Sequence, residues 1–423
     1  MAQLEPELAT LDNGVRIALD PMPGLATVAV GVWVRVGARW ERANENGIAH
    51  LFEHMAFKGA AGRDAKTFAE AVEALGASLN AATGYERTSY YGRALAEHAG
   101  AALDLVCDII LAPHWAPADL EMEKDVVAQE RGEAFDQADD RVFEAHQSLV
   151  FAGQPMGRPI LGEAATIADV TVDALNAFRD AHLTADRVVI AAAGAFDRAE
   201  ILDVAARRFG GLRRGDLGPP DPARAVGGSV GEARRNEQVN LTLSWDAPAA
   251  GAADAFAARL LAEILGGGMS SRLFQEVREA RGLVYAIDAY LDGYEDVGRL
   301  GVYAGCAAKN ARVVADLVGD ALVDLAKNGP RPAELARAKA TLCASILMGA
   351  EAPLSRAEAR TSQIFLRGHL VDFSDLRDRI RAVTADEVQA AAARAAASAG
   401  AAAAVGPKSG LGAATSFAAR FPG

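Results

Sequence analysis

Two imidazoles and a carboxylate fall within five residues in the stretch Gly47-Ile48-Ala49-His50-Leu51-Phe52-Glu53-His54-Met55-Ala56-Phe57-Lys58-Gly59. If the stretch is helical, His50 and His54 stand four apart and stack one turn from each other, with Glu53 within reach of anything they hold. Two neutral imidazoles suit a divalent cation such as zinc, and an adjacent Glu suits removal of a proton from a metal-polarised water. The order His-x-x-Glu-His is the inverse of the commoner zinc-peptidase spacing. A five-residue pattern also arises by chance, so the reading needs a third ligand.

A site with two histidine ligands takes one further protein ligand and keeps a position open for water. The charged segment after Pro117 offers Glu121, Glu123, Asp125, Glu130 and Glu133. Glu123 and Glu130 are seven apart and share one helix face, although a solvated face is the ordinary home of any single acid in such a run.

The elements that must position these groups follow from periodicity and turn chemistry. Thr10 to Ala18 carries an Asn13-Gly14 turn, and Thr27 to Val36 alternates β-branched and small residues, so strands lead into the His50 helix. Lys66 to Leu75 has helical spacing closed by Gly76, and Ala77 to Thr83 with Thr88 to Arg93 predicts two strands around Gly84. Helices are expected at His98–Leu111 and Leu120–Gln137, loop at Phe151–Ile167, and helix at Val170–Asp180. Arg187 to Gly194 is an unbroken apolar run suited to a central strand, followed by a helix at Arg198–Arg208. The Gly- and Pro-dense stretch Gly210 to Gly231 marks a boundary. Strand (Gln238–Ser244), helix (Ala252–Leu265) and strand (Val284–Leu291) then recur in similar order, and a helix at Ala385–Ala397 and a strand at Ala401–Val405 close the chain. The expected organisation is a domain at 1–212, a linker at 213–231 and a domain at 232–423, both α+β; identity between the halves is too low to mark a repeat.

At 423 residues the chain is too long for one core. Apolar residues at 51% and charged ones at 23% describe buried globular domains. A net charge of −13 disfavours nucleic acid and anionic membranes as partners. The start Met1-Ala-Gln-Leu-Glu has no basic region followed by an apolar run, so no leader is expected, nor a membrane span, and the cytoplasm is the expected compartment. Cys107, Cys306 and Cys343 lack metal-site and disulfide-framework spacing and are read as small buried hydrophobes. His98, His114, His146, His182 and His369 have no partner at ligand spacing and are read as structural.

Taken together, His50-Leu51-Phe52-Glu53-His54, Glu123-Lys124-Asp125-Val126-Val127-Ala128-Gln129-Glu130, Gly76 to Ala81, Gly157-Arg158-Pro159-Ile160-Leu161-Gly162 and Met269 to Tyr285 resemble the M16 metallopeptidases, the family of pitrilysin, insulin-degrading enzyme and mitochondrial processing peptidase. The likeness covers most of the chain and points to the small bacterial two-domain members. It implies two similar domains, each a mostly antiparallel β-sheet flanked by α-helices. By position it implies His50, His54 and Glu130 as Zn²⁺ ligands, Glu53 as catalytic base and Glu123 as an acid behind the ligands. It implies Arg278 and Tyr285 as groups holding the substrate carbonyl, and Asn80 and Ala81 as part of a peptide-binding strand. The sequence departs from the family at Ala195, Leu183 and Trp115, none of which touches this chemistry. The implied activity is zinc-dependent endopeptidase action on short unfolded peptides in a closed chamber, completed by homodimerisation so that one subunit's metal site faces the other's Arg278 and Tyr285. The alternatives are a processing peptidase that trims Arg-rich leader peptides and, from another class, a non-catalytic scaffold subunit.

Overall fold

A computed structural model describes residues 5–215 and 218–423. Residues 1–4, on which the absence of a leader was read, and residues 216 and 217 of the expected linker lie outside the described residues. The first half runs β1 (Glu7–Thr10), β2 (Arg16–Pro21), β3 (Thr27–Val34), α1 (Ile48–Ala56), the short pair β4 (Gly59–Ala60) and β5 (Arg63–Asp64), α2 (Ala65–Ala74), β6 (Ser78–Thr83), β7 (Thr88–Leu95), α3 (Ala99–Leu111), α4 (Pro117–Asp136), α5 (Ala138–Val150), α6 (Ala164–Ala168), α7 (Val172–His182), β8 (Val188–Gly194) and α8 (Arg198–Phe209). The second runs β9 (Gly228–Ala233), β10 (Gln238–Ala247), α9 (Ala255–Gly266), β11 (Val284–Gly293), β12 (Gly298–Ala307), α10 (Ala311–Asn328), α11 (Pro332–Gly349), α12 (Pro353–Arg367), α13 (Phe373–Ala382), α14 (Ala385–Ala397), β13 (Ala401–Gly406) and α15 (Gly412–Arg420).

Most expected elements are present within two or three residues of their expected ends. The region expected as loop at 151–167 contains the start of α6, and the stretch from 298 to 382, where no element was expected, holds β12 and α10 to α13. Local chemistry accounts for many of the boundaries. The Asn13-Gly14 turn joins β1 to β2 with Gly14 at φ 100°. Thr384 and Glu387 form a reciprocal capping box that starts α14.

Two sheets organise the chain. The first has order β1-β2-β8-β3-β7-β6, the second β11-β12-β10-β13-β9. In the first, β6·β7, β7·β3 and β3·β8 are antiparallel and β8·β2 is parallel. In the second, β11·β12, β12·β10 and β10·β13 are antiparallel and β13·β9 is parallel. The two sheets thus share one topology, strand for strand, with β1 added at the edge of the first. Both are mostly antiparallel and flanked by helices, as expected.

The compact units are not the serial domains that the sequence predicted. One unit is Met1–Arg131, Arg158–Pro220 and Met348–Val371; the other is Gly132–Gly157, Asp221–Leu347 and Asp372–Gly423. Each half therefore gives a helix to the unit built mainly from the other half, α5 in one direction and α12 in the other. The physical reason is that both faces of each central strand are apolar. In the first unit, Val30, Val32, Val188 and Ile190 pack with α1, α3 and α8, while Trp33, Val189 and Ala191 on the reverse face are covered by Ala357 and Ile364 of α12. Ala403 and Val405 of β13 are likewise covered by Val142 and Ala145 of α5. On α12, Arg360 and Arg356 both pair through Nε with Asp20 Oδ2 of β2, at 2.5 and 2.8 Å, so a buried carboxylate fixes where that helix lies.

In the second unit, α5 is held by a polar core contact. His146 Nε2 lies 2.6 Å from Ser244 Oγ, which accepts from Arg299 Nη2 at 2.7 Å. The imidazole also bonds the Ala401 backbone, and burial, with the Arg299 charge behind it, pushes its pKa down to about 3. An unfolded imidazole protonates near pH 6.5. Between these values the unfolded chain binds more protons, so stability is complete above about pH 6.5 and falls as the pH drops toward 3. His50 and His182, pushed down to about 4 chiefly by burial, act with the same sign. Urea unfolding from pH 7 to 4 is expected to show a slope that His146→Gln reduces by about one proton; an unchanged slope would mean that His146 is not held neutral.

Candidate metal centre

The motif helix α1 turns its apolar side inward, with Ile48, Ala49, Leu51, Phe52, Met55 and Ala56 all buried. Phe52 meets Tyr90 and Trp115 edge-on at centroid distances of 6.3 and 5.2 Å. Trp115, one of the positions where the sequence departs from the resemblance, is accommodated in this packing. With that face fixed, His50 and His54 stand together on the opposite side, their ring centroids 4.6 Å apart.

Helix α4 faces them with a single stripe. Leu120, Glu123 and Val127 are its buried residues, at helical spacing, and Glu130 continues the same line by one turn. Glu123 Oε2 lies 2.9 Å from His54 Nδ1, and its other oxygen pairs with Lys58 Nζ. Beyond it, Glu130 Oε2 lies 3.3 Å from His54 Nε2 and 3.8 Å from His50 Nε2. Donor atoms of His50, His54 and Glu130 all lie within 4.8 Å of one another. Among the described residues they form the one such group of three or more.

The donor set fits zinc. Ligands at about 2.0–2.2 Å in a tetrahedral shell sit about 3.3 Å from one another, close to the spacings found. Two neutral imidazoles and one carboxylate leave a fourth position open. His54 is turned by the hydrogen bond from its remote nitrogen to Glu123, an arrangement that sets tautomer and ring angle in histidine–metal sites. Burial pushes the His50 imidazole down to about 4, with the charge of His54 adding, so it is neutral at pH 7. The Glu53 carboxyl is raised by burial, against opposing interactions with Thr83 and His54, and its Oε2 is buried without a hydrogen-bond partner. A carboxylate so placed gains by accepting a proton.

The remaining expected site residues lie as follows. Asn80 and Ala81 are on β6, which is an edge strand, so its outer backbone is open to pairing. Asn80 Oδ1 accepts from the Ala81 N–H at 2.9 Å, a bond that an added strand would have to replace. Arg278 and Tyr285 belong to the second unit. Arg278 is exposed on a π-helical turn, Phe274–Ala280, with its guanidinium 4.7 Å from the Phe274 ring centroid. Glu276 pairs with Arg281 instead, and among the described residues Arg278 makes no ion pair. Tyr285 is no core aromatic. The β11–β12 register shifts between Val284 and Ala286, so Tyr285 occupies a bulge and is 78% exposed.

Of the other histidines, His146 and His182 serve packing, as expected. All three cysteines are free and buried. Lys58 is a residue whose role sequence reasoning missed: it stands inside the motif stretch, but only the fold shows that it pairs with Glu123. No described helix is long and apolar enough to cross a membrane.

Residues 16–164 match the family described as Insulinase (Peptidase family M16), and residues 169–342 match Peptidase M16 inactive domain. An uncharacterized zinc protease of Mycobacterium tuberculosis is 35% identical over 92% of this chain and 91% of its own length. One of Bacillus subtilis is 32% identical over 90% and 93%. Among solved structures, a peptidase M16 inactive domain from Pseudomonas fluorescens superposes with a TM-score of 0.88 at 22% identity, covering 96% of this chain and 99% of that one. The chain therefore belongs to peptidase family M16, with the two-domain build of its small bacterial members.

If the Glu123 contact orients His54, Glu123→Gln should weaken zinc binding about 10- to 100-fold, read by competition with a chromogenic chelator. Equal affinity in wild type and variant would show that the contact only packs α4.

Proposed function

We propose that the protein is a cytoplasmic zinc endopeptidase that hydrolyses short unfolded peptides. The observation that carries this is the convergence of His50, His54 and Glu130 beside a half-buried Glu53 whose Oε2 has no hydrogen-bond partner. Relatives named zinc proteases support the metal, and unpaired buried cysteines suit a reducing compartment.

In this reading His50, His54 and Glu130 hold the ion and Glu123 keeps His54 aimed at it. Zinc held there supplies Lewis acidity toward water and the peptide carbonyl. Glu53 takes the proton of the attacking water and returns it to the leaving amine, serving as base and then acid. A peptide adds to β6 as an extra strand, held by main-chain hydrogen bonds near Asn80 and Ala81, which leaves side-chain selectivity loose. Tyr285 and Arg278 donate to the carbonyl oxygen as it gains charge, a contribution of about 100- to 1,000-fold in comparable sites. We further propose that the Arg278 and Tyr285 serving a given metal site come from a second copy of the chain, the homodimer enclosing a chamber that excludes folded proteins by size.

The second reading is a non-catalytic scaffold subunit, and the observation on its side is that residues 169–342 match a family domain described as inactive. Metal analysis separates the two: about one zinc per chain is expected of the peptidase, none of a scaffold.

Peptide digestion tests the chemistry. Glu53→Gln should retain zinc and lose at least about 100-fold in kcat, and a chelator should abolish wild-type cleavage; full activity in the variant would remove Glu53 from the mechanism. Mixing tests the sharing. Coexpression of Glu53→Gln chains with chains carrying Arg278→Ala and Tyr285→Phe should restore one working site per mixed pair, whereas no recovery would confine each site to one chain.

A further inference from the structure

We infer that Glu41 is a positioning residue for the metal ligand His50, acting through the start of α1, and that the loop Gly157 to Gly162 locks it in place. The inference rests on the metallopeptidase reading and extends it to residues that touch neither metal nor substrate.

A helix leaves its first four N–H groups without internal partners, and a side chain at the N-cap usually takes one of them. The N-cap of α1 is Gly47, at φ 93°, which has no side chain to offer. Glu41, six residues upstream and only 3% exposed, fills the role from a distance. Its Oε2 accepts from the Gly47 N–H at 2.9 Å, and its Oε1 accepts from the Ala49 N–H at 2.9 Å. Asn46 Nδ2 donates to the same Oε2 at 2.9 Å and to Pro159 O at 3.0 Å. Arg158 Nη2 donates to the Glu41 carbonyl, and Thr166 Oγ1 donates to Asn46 O at 2.6 Å.

The contact is close as well as polar. A Cβ on Gly47 would lie 2.6 Å from Gly162 Cα, and one on Gly162, at φ 76°, would lie 2.6 Å from both Asn46 O and Gly47 Cα. Both positions need glycine so that two backbones can touch at the mouth of the helix. His50 follows Ala49 directly, so the carboxylate that fixes the Ala49 amide fixes the turn from which that ligand projects. At the other end of α1, His54 is held by Glu123. The metal helix is thus clamped at both ends by buried carboxylates, one acting on backbone and one on a ring nitrogen. The clamp at Glu41 also gives the Gly157-Arg158-Pro159-Ile160-Leu161-Gly162 motif a use that neither catalysis nor peptide binding supplies.

The test compares full-length wild type with Glu41→Gln, Gly162→Ala and a control, Ile364→Ala, whose side chain projects from α12 and is buried against the reverse face of the sheet. Gln keeps one acceptor but turns an NH₂ toward a backbone or Asn46 donor. Three readouts are taken: zinc affinity by chelator competition, kcat and KM on a peptide, and hydrogen exchange of the amides at 47–51. The clamp predicts that Glu41→Gln and Gly162→Ala bind zinc about tenfold or more weakly, lose kcat to a similar degree with KM within about twofold, and exchange the Gly47 and Ala49 amides faster. The control should lose thermal stability with zinc affinity and kcat unchanged. Zinc affinity and kcat within about twofold of the control in both clamp variants would overturn the inference and leave Glu41 a purely structural residue. Amide exchange needs neither metal nor turnover. Wild type that bound no zinc would therefore sink the metallopeptidase reading, while unaltered exchange at Gly47 and Ala49 in Glu41→Gln would sink the clamp.

Discussion

A carboxylate removed from water has to be matched by donors, and Glu123 is matched by His54 and Lys58. This pairing sets the rotation of α4 against α1. Leu120 and Val127 flank Glu123 on the buried stripe, so once the carboxylate faces His54 the helix has no freedom to roll. Glu130 then arrives over the two imidazoles because it lies two turns further along the same line. Glu130 is 41% exposed at its side chain, so its own packing does not impose that geometry.

Around this contact the fold supplies rigidity on several sides. Tyr90 and Trp115 pack against Phe52 on the underside of α1, and the start of the helix is closed by Glu41 and the loop that bears Arg158 and Gly162. The reverse face of the sheet is covered by α12, anchored by Arg356 and Arg360 on Asp20. Donors for an ion must be held to within a fraction of an ångström, and helices seated on a sheet do this better than loops.

The same topology is put to two uses. Both units place a helical segment between a central strand and an edge hairpin. In the first unit that segment is α1, with His50, Glu53 and His54; in the second it is α9, whose sequence contains no histidine. The second unit's edge strand instead carries a bulge that pushes Tyr285 out of the ladder, close in sequence to the exposed Arg278. Sequence identity between the halves is too low to show this likeness, but hydrogen-bond order and strand sense show it. Backbone pairing is indifferent to most side-chain identities, whereas pairwise sequence comparison sees nothing else.

Much of the fold was legible because its signals are local. Period-2 and period-3.6 patterns placed most strands and helices, and an Asn-Gly turn and a Gly-closed helix set boundaries. The group around His50 was readable because ligand spacing on one helix is itself a local property, and Glu123 and Glu130 shared a face by counting alone. Spacing alone left open which of five acids in α4 would reach the imidazoles, since any face of a charged helix reads as solvated until packing selects one; only the family resemblance pointed to Glu130. The sequence was also silent on the exchange of α5 and α12 between the units, on Tyr285 lying in a bulge, and on Glu41 and Lys58 serving the motif helix. Each of these depends on which distant surfaces meet. Apolar faces and buried charges find partners by burial and desolvation over the whole chain, and no window of neighbouring residues contains that information.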